Sequence, residues 1–420
     1  MDAAELDVNV DLDIQEILLA ASSHDIPKLR QLIRAHQAVA NPANVKDPET
    51  GLTPLHAAIG ACAPDEEEEN AVNGKPNGDV PQANGTDTPS APVSDTVRSA
   101  ANTVKFLLGE GAIWNDLDAN DETPGCLARR LGLRELYEMM VDAGVRAEML
   151  LNRLDGYEPL SEGEDEEEDD EGEPPEETRQ AEPEPTPAEP ATAPADASGT
   201  NTQYLASNLS IQPDRILDAE QNGVMMAWER DIMAKSAAKL LPRPGLRVLN
   251  IGHGMGIVDE HIQSHSPSTH HIVEAHAEVL DEMKRMGWDA KPGVRIHEGR
   301  WQDVLPALVG EGVQFDAIYF DTFAEGYNDF RDFFTEHVIG VLDQEGRWGY
   351  FNGMGADRQI SYDVYQKVVE MDLFEAGFDV DWEEIPVPKL EGEWEACAGR
   401  IGLSTTIGSR CASTEVYWNT

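Results

Sequence analysis

The rhythm of hydrophobic and polar positions changes twice along the chain. Over the first 150 residues apolar positions recur at helical spacing. Residues 14–35 predict a helix pair broken near Pro27. Residues 106–112 read as a helix end with a glycine exit. Residues 129–143, stopped by Gly144, supply further helix. From Tyr204 onward short apolar runs alternate with amphipathic stretches. Residues 213–241 predict one long helix or two broken ones. Strands are then predicted at 246–251, 271–274, 294–297, 315–321 and 347–352. Helices are predicted at 277–286, 330–342 and 362–376, followed by a strand from Phe378 and a β-rich tail that includes residues 415–418. Continuous apolar strands alternating with helices predict an α/β fold: a doubly wound, Rossmann-like parallel sheet with an added antiparallel edge, preceded by an all-α domain.

Composition divides the chain further. It has 420 residues, with Lys+Arg 31 against Asp+Glu 80, and a formal net charge of −49. Residues 161–177 are nearly continuous Asp and Glu, and Pro-, Ala- and Glu-rich sequence runs on to about Ser198. Such a segment buries too little apolar surface to offset its chain entropy. A second acidic stretch, 63–94, is rich in Asn, Gly and Pro. The expected layout is a helical domain over 1–152 with a disordered insertion at 63–94, a disordered linker over 153–200, and an α/β domain over 201–420. No basic patch favours direct nucleic-acid binding. No apolar run is long enough for a bilayer, and no basic region followed by an apolar core marks a secretory signal. Cys62, Cys126, Cys397 and Cys411 form no paired motif, which predicts neither a zinc site nor a disulfide framework and suits a reducing, intracellular compartment.

The chemistry concentrates where the strand at 246–251 ends. Asn250-Ile-Gly-His-Gly-Met-Gly-Ile257 places glycines at 252, 254 and 256, and helical spacing resumes at Val258. Strand, glycine turn and helix open a nucleotide-binding βαβ unit, in which backbone approaches a ligand closely. Glu274 closes the second strand, where an acid can accept ribose hydroxyls; a dinucleotide site would offer the same acid. A dinucleotide fingerprint would want a small residue at 257, where Ile257 stands. The spacing therefore favours S-adenosylmethionine over a nicotinamide. Asp321 ends the strand at 315–321 and falls beside the cofactor. On composition alone Glu229, after Trp228 and two Met residues, reads as a solvated acid on an amphipathic helix.

Two resemblances sharpen this picture. Thr53-Pro-Leu-His-Ala-Ala58 matches the ankyrin-repeat signature, and Asp121-Glu-Thr-Pro-Gly-Cys-Leu-Ala128 is a degenerate second copy. This implies an ankyrin-like domain that recruits a protein, or one that caps the enzyme. Met226-Ala-Trp-Glu-Arg-Asp-Ile-Met233, Asn250–Ile257, Ile272-Val-Glu-Ala-His276, Gly299-Arg-Trp-Gln-Asp-Val304 and Phe315-Asp-Ala-Ile-Tyr-Phe-Asp-Thr322 occur in this order. Together they resemble guanidinoacetate N-methyltransferase, a class I methyltransferase. With ankyrin-like repeats in front, the whole chain is similar to the fungal type IV protein arginine methyltransferases, which modify the internal δ nitrogen of arginine.

The resemblance implies roles. Gly252, His253, Gly254, Met255, Gly256 and Ile257 form the methionine-side loop. Glu274 holds the ribose, Ala275 and His276 flank the adenine, and Arg300 and Trp301 cover it, with Trp301 as a stacking face. Tyr204 and Met233 close over the cofactor, and Asp321 lies where cofactor and substrate meet. Glu229 and Asp321 grip the guanidinium. The implied cofactor is S-adenosylmethionine without a metal. The implied partner is a basic ribosomal protein of the large subunit, met by a monomer in the cytoplasm and nucleus. A small-molecule guanidino methyltransferase and an inactive scaffold that binds through its repeats are the alternatives. The glutamate-bearing loop and β-barrel of the terminal-nitrogen arginine methyltransferases have no counterpart in the sequence.

Overall fold

A computed structural model of the chain describes residues 3–35, 41–63, 95–154, 197–351, 353, 358–386 and 410–417. The acidic stretches foreseen at 63–94 and 153–200 fall largely outside the described residues. The chain divides into two compact units. One comprises Met1–Met149, Asn352–Met371 and Pro386–Cys411; the other comprises Leu150–Phe351, Asp372–Ile385 and Ala412–Thr420. Among the described residues no helix is long and apolar enough to cross a membrane.

The first unit is helical: α1 (Ala3–Ser22), α2 (Ile26–Ala35), α3 (Pro54–Gly60), α4 (Asp95–Gly109), α5 (Pro124–Arg130) and α6 (Arg134–Leu154), whose last residues are grouped with the second unit. The break between α1 and α2 comes before Pro27. His24 takes a left-handed φ of 56°, and Asp25 caps α2 by accepting from the Lys28 amide, so Pro27 sits where its missing N–H costs nothing. Both Thr-Pro copies start helices in the same way. Thr53 and Thr123 accept from the amides of His56 and Cys126, with proline in the first turn. Buried His56 contacts the Glu122 carbonyl at 3.0 Å, which ties the first copy to the turn of the second. Gly144 does not end its helix. It lies inside α6, where an added Cβ would come 2.6 Å from Val364. The glycine is needed for close packing there, not as a stop signal.

The second unit begins with α7 (Ala197–Ala206), then differs from the expected long helix at 213–241. That stretch forms β1 (Ser210–Gln212), β2 (Arg215–Leu217) and β3 (Gly223–Met226), an antiparallel sheet. A 3-10 turn at Ala227–Glu229 and α8 (Arg230–Leu240) follow. The cause is local. Asp218 accepts from the Asn222 amide and side chain, and Gln221 adopts a left-handed φ of 67°, closing a turn between two short apolar runs. Glu229 therefore stands at the N-cap position of α8, without a side-chain capping bond, rather than on a helix face.

Ten elements then build the main sheet and its helices: β4 (Arg247–Ile251), α9 (Ile257–Ser264), β5 (Thr269–Glu274), α10 (Ala277–Arg285), β6 (Val294–Glu298), α11 (Trp301–Gly310), β7 (Phe315–Phe320), α12 (Tyr327–Asp332), α13 (Val338–Val341) and β8 (Leu342–Phe351). A π-helical turn, Phe333–His337, joins α12 to α13. The strand foreseen at 347–352 starts five residues earlier, because Leu342 pairs with Phe315. After α14 (Gln359–Glu375) come β9 (Asp379–Pro386) and β10 (Arg410–Tyr417). The sheet order is β6-β5-β4-β7-β8-β10-β9. Strands β4 to β8 run parallel, and β10 is antiparallel to β8. This is the doubly wound, Rossmann-like sheet with an antiparallel edge.

Register aligns the strand ends. Ile251 pairs with both Val273 and Phe320, and Glu274 pairs with Glu298. The carboxyl ends of β4, β5, β6 and β7 thus open side by side. The order reverses between β4 and β7, the place where such sheets bind ligands. Val248, Leu249, Ile251, Ile272, Val273, Ala317 and Ile318 are all at most 2% exposed. Fully burying each aliphatic side chain of this kind contributes about 1.5–3 kcal/mol. A rigid sheet centre results, and the site is mounted on its edge.

Candidate active site

A cleft of about 610 Å³, open on one side to solvent, lies over those strand ends. The loop after β4 forms its floor. Gly252, Gly254 and Gly256 have φ of +90°, +52° and +71°. A Cβ on residue 252 would overlap the Asp321 carbonyl oxygen, and one on 254 would come 2.8 Å from Met225. Glycine is required at both positions by conformation and by space.

Glu274, 8% exposed, stands at the end of β5. Its Oε2 accepts from the His253 amide at 2.9 Å. Its Oε1 accepts from the amides of Ala275 and His276 at 2.8 and 2.7 Å. Tyr204 approaches from α7. Its ring lies 5.0 Å from those of His276 and Phe323, and its carbonyl contacts the His276 ring nitrogen at 3.2 Å. Burial, and then the charge on Glu274, push the Tyr204 hydroxyl upward, so it stays protonated.

Asp321 follows β7, and its amide donates to the Ile251 carbonyl at 2.9 Å. Its Oδ2 is buried and has no hydrogen-bond partner. Burial, and beyond it the Asp259 charge, push this carboxyl up to about 7. Part of Glu229 reaches solvent, yet its carboxyl is enclosed by protein. Burial, and then the charge on Asp321, push it well above the usual carboxylate range, against a hydrogen bond from the Met226 backbone. The two acids come from distant parts of the sequence and sense each other electrostatically. Ionising both sets two buried like charges against each other.

The expected residues separate into two groups. Tyr204, Gly252, Gly254, Glu274, Ala275, Arg300, Trp301 and Asp321 line the cleft. Glu229, Met233, His253, Met255, Gly256, Ile257 and His276 do not. Met233 and Ile257 face the core between α8, α9 and the sheet, where Met233 receives the Tyr319 hydroxyl. His253 points down to Asp259, and the Met255 amide meets the sulfur of Met225. Trp301 differs from the stacking face foreseen for it. Its ring, 3% exposed, packs edge-on against Phe320, Phe333 and His337, and its N–H donates to Glu325 at 2.9 Å. The ring is thus held among aromatic neighbours, while Trp301 still counts among the residues that line the cleft.

Ten lining residues escaped the sequence reading, and Glu325, Phe323 and Met225 stand out among them. Glu325 accepts from Trp301 and from the Thr322 hydroxyl at 2.6 Å, and so fastens the loop after β7 to the start of α11. Its burial pushes the carboxyl up. The available signal was an acid four residues after Asp321. Phe323 and Met225 line the cleft as well. Met225 was hidden by the assignment of its segment to a helix. Among the described residues no group of three or more His, Cys, Asp or Glu side chains could hold a metal ion.

Comparison with known proteins agrees with this geometry. Residues 201–387 match the guanidinoacetate N-methyltransferase family. Protein arginine N-methyltransferase 2 of Aspergillus fumigatus is 65% identical over 407 residues, covering 93% of this chain and 94% of the relative. That of Emericella nidulans is 65% identical, covering 92% and 93%. The Gibberella zeae protein of the same name is 43% identical, covering 92% and 89%. With its glycine loop, strand-end acids and full-length similarity, this chain belongs to the protein arginine N-methyltransferase 2 family.

Proposed function

We propose that the cleft binds S-adenosylmethionine and that the enzyme methylates the δ nitrogen of an arginine residue in a basic ribosomal protein of the large subunit. The observation that carries the reading is the Glu229–Asp321 pair: two enclosed carboxyls, electrostatically coupled, one with a buried oxygen that has no partner. A buried acceptor of this kind calls for a donor. A guanidinium is planar, permanently charged and presents N–H groups in a fork that suits carboxylates.

The residues of the cleft fit the methyl donor. The glycine loop admits close approach of the methionine portion, Glu274 and Tyr204 flank the ribose side, and Arg300 and Trp301 border the base. When bound, the donor supplies an electrophilic methyl carbon on a sulfonium. The protein supplies everything else. Arrival of a cationic guanidinium lowers the cost of ionising both acids, so the pair becomes a double acceptor only when substrate is present. Held by two carboxylates, the guanidinium cannot rotate, and one nitrogen stays presented to the methyl group. Such positioning accounts for several kcal/mol of a barrier (about 7–11 at most). A carboxylate already raised toward neutrality then accepts the proton that the methylated nitrogen sheds.

The helical unit supports an ankyrin-like assignment for residues 1–152. Two Thr-capped Thr-Pro turns, linked by His56 and by a 2.8 Å bond from the Ala119 amide to the Thr50 carbonyl, repeat one supersecondary design. Its role in this reading is to recruit the protein substrate. The test is tandem mass spectrometry of large-subunit ribosomal proteins after incubation with enzyme and isotopically labelled donor, with free guanidinoacetate in parallel. Label on the internal nitrogen of a protein arginine is the expected result. Label only on guanidinoacetate, or only on terminal nitrogens, overturns it.

A further inference from the structure

Beneath the glycine loop lies a buried polar cluster that the cleft itself does not use. Asp259, in the first turn of α9, is 0% exposed. Its Oδ1 accepts from the Asn250 side-chain amide at 2.9 Å and lies 2.9 Å from His270 Nε2. Its Oδ2 lies 2.6 Å from His253 Nδ1. Burial opposes the charge, but His253 and His270 outweigh it, and Asp259 is held down at about 2. One anion thus gathers β4, β5 and the glycine loop around the start of α9.

The loop reaches this anion from both ends. His253, 3% exposed, stands between Gly252 and Gly254 with its ring 5.0 Å from Trp288. Gly256 makes room for it, since an added Cβ would come 2.7 Å from His253 Cε1 and 3.3 Å from Trp288. Asn250 donates to the Gly252 carbonyl at 2.8 Å as well as to Asp259. The His253 amide donates to Glu274. Three glycines at positive φ have little conformational preference of their own and lose much entropy when ordered. Something outside the loop must select its shape.

We propose that Asp259 and His253 form a positioning pair that sets the conformation of the methyl-donor loop. Neither touches the ligand. The His253 ring draws the loop backbone down onto α9, and Asp259, through Asn250, fixes the Gly252 carbonyl. This holds the amides of the loop in place before the donor arrives, and preorganised groups bind more tightly than mobile ones. The proposal rests on the reading of the cleft as a donor site.

The experiment compares full-length wild type with Asp259→Asn, His253→Asn, His253→Phe and the double variant Asp259→Asn/His253→Phe. S-adenosylmethionine affinity is read by calorimetry, and amide exchange of residues 252–256 is read in donor-free protein. Asp259→Asn and His253→Phe should each weaken donor binding at least tenfold and speed exchange in the loop. His253→Asn, whose amide N–H sits where the ring Nδ1 does, should recover much of the loss. The double variant should be no worse than the poorer single one, because a pair can be broken only once. Single variants with wild-type affinity and exchange overturn the pairing, as do losses that simply add. If Asp259→Asn fails to fold, the His253 variants decide between rescue and no rescue. If wild type takes up no donor, the donor reading fails, and exchange in the loop alone decides the pairing.

Discussion

Gly252 and Asp321 meet backbone to backbone: the Asp321 carbonyl oxygen occupies the space a β-carbon on residue 252 would need, and Gly252 holds a φ of +90° there. The end of β4 and the end of β7 thereby close to a separation that only glycine permits. The same contact fixes the backbone of Asp321, a residue that lines the cleft. Gly252→Ala should cost about 3 kcal/mol or more of stability, through strain and backbone displacement. Chemical denaturation with matched donor titration checks this; a variant of wild-type stability would show that the two loops can separate freely.

The paired acids give the sharpest kinetic expectation. Glu229→Gln and Asp321→Asn should each lower kcat/KM for the protein substrate by about 10²–10³-fold or more, the scale seen when one preorganised charge is removed. Donor affinity should change far less for Glu229→Gln, which does not line the cleft. Steady-state kinetics beside calorimetry separates the two effects. Full turnover in both variants would end the guanidinium assignment.

Asp321 also makes stability depend on pH. Its carboxyl lies at about 7 in the fold against an ordinary value of 3.8. In that interval the folded state binds more protons than the unfolded state, so stability falls as pH rises through it. Glu229, also raised by burial and by the Asp321 charge, contributes with the same sign. Donor-free Asp321→Asn should therefore be more stable than wild type by about 1–3 kcal/mol near pH 8, a gain that fades below about pH 4. Thermal melts across that range would show it. A variant equally stable at every pH would mean that water reaches the carboxyl.

Glu325 fastens two cleft walls through Trp301 and Thr322. Glu325→Ala would strand the buried Trp301 N–H, a loss of about 1–3 kcal/mol. Glu325→Gln retains an acceptor and should cost less. Urea titration followed by tryptophan fluorescence distinguishes them, and equal losses would show that charge, not hydrogen bonding, secures the loop.

The fold of the sheet was legible because its strands are buried on both faces and so carry continuous apolar runs. Glu274 and Asp321 were legible because strand ends in such sheets are where ligands sit. The stretch 213–241 was not legible. Its Met, Ile and Leu residues fit helical spacing, and the deciding interaction, Asp218 folding back on Asn222, is a turn whose strands are too short to show alternation. Gly144 misled for a related reason: a glycine demanded by Val364, distant in sequence, looks like a helix terminator. The resemblance puts Trp301 at the cleft, which it lines, but its three aromatic neighbours are assembled only by the fold and had no signal in the sequence. Asp259 carried no signal at all, since a carboxylate in a first helical turn is ordinarily solvated.

A carboxylate offers about four lone-pair positions, and backbone amides already take two on Oε1 of Glu274 and one on Oε2. A vicinal diol reaching this acid finds one acceptor position and not two. The two hydroxyls of the donor's sugar should accordingly be unequal partners. Of the 2′- and 3′-deoxy analogues, one should bind nearly as well as the parent and the other more weakly by about 1 kcal/mol. Equal losses in calorimetry would mean that the amides release the acid when a nucleoside enters.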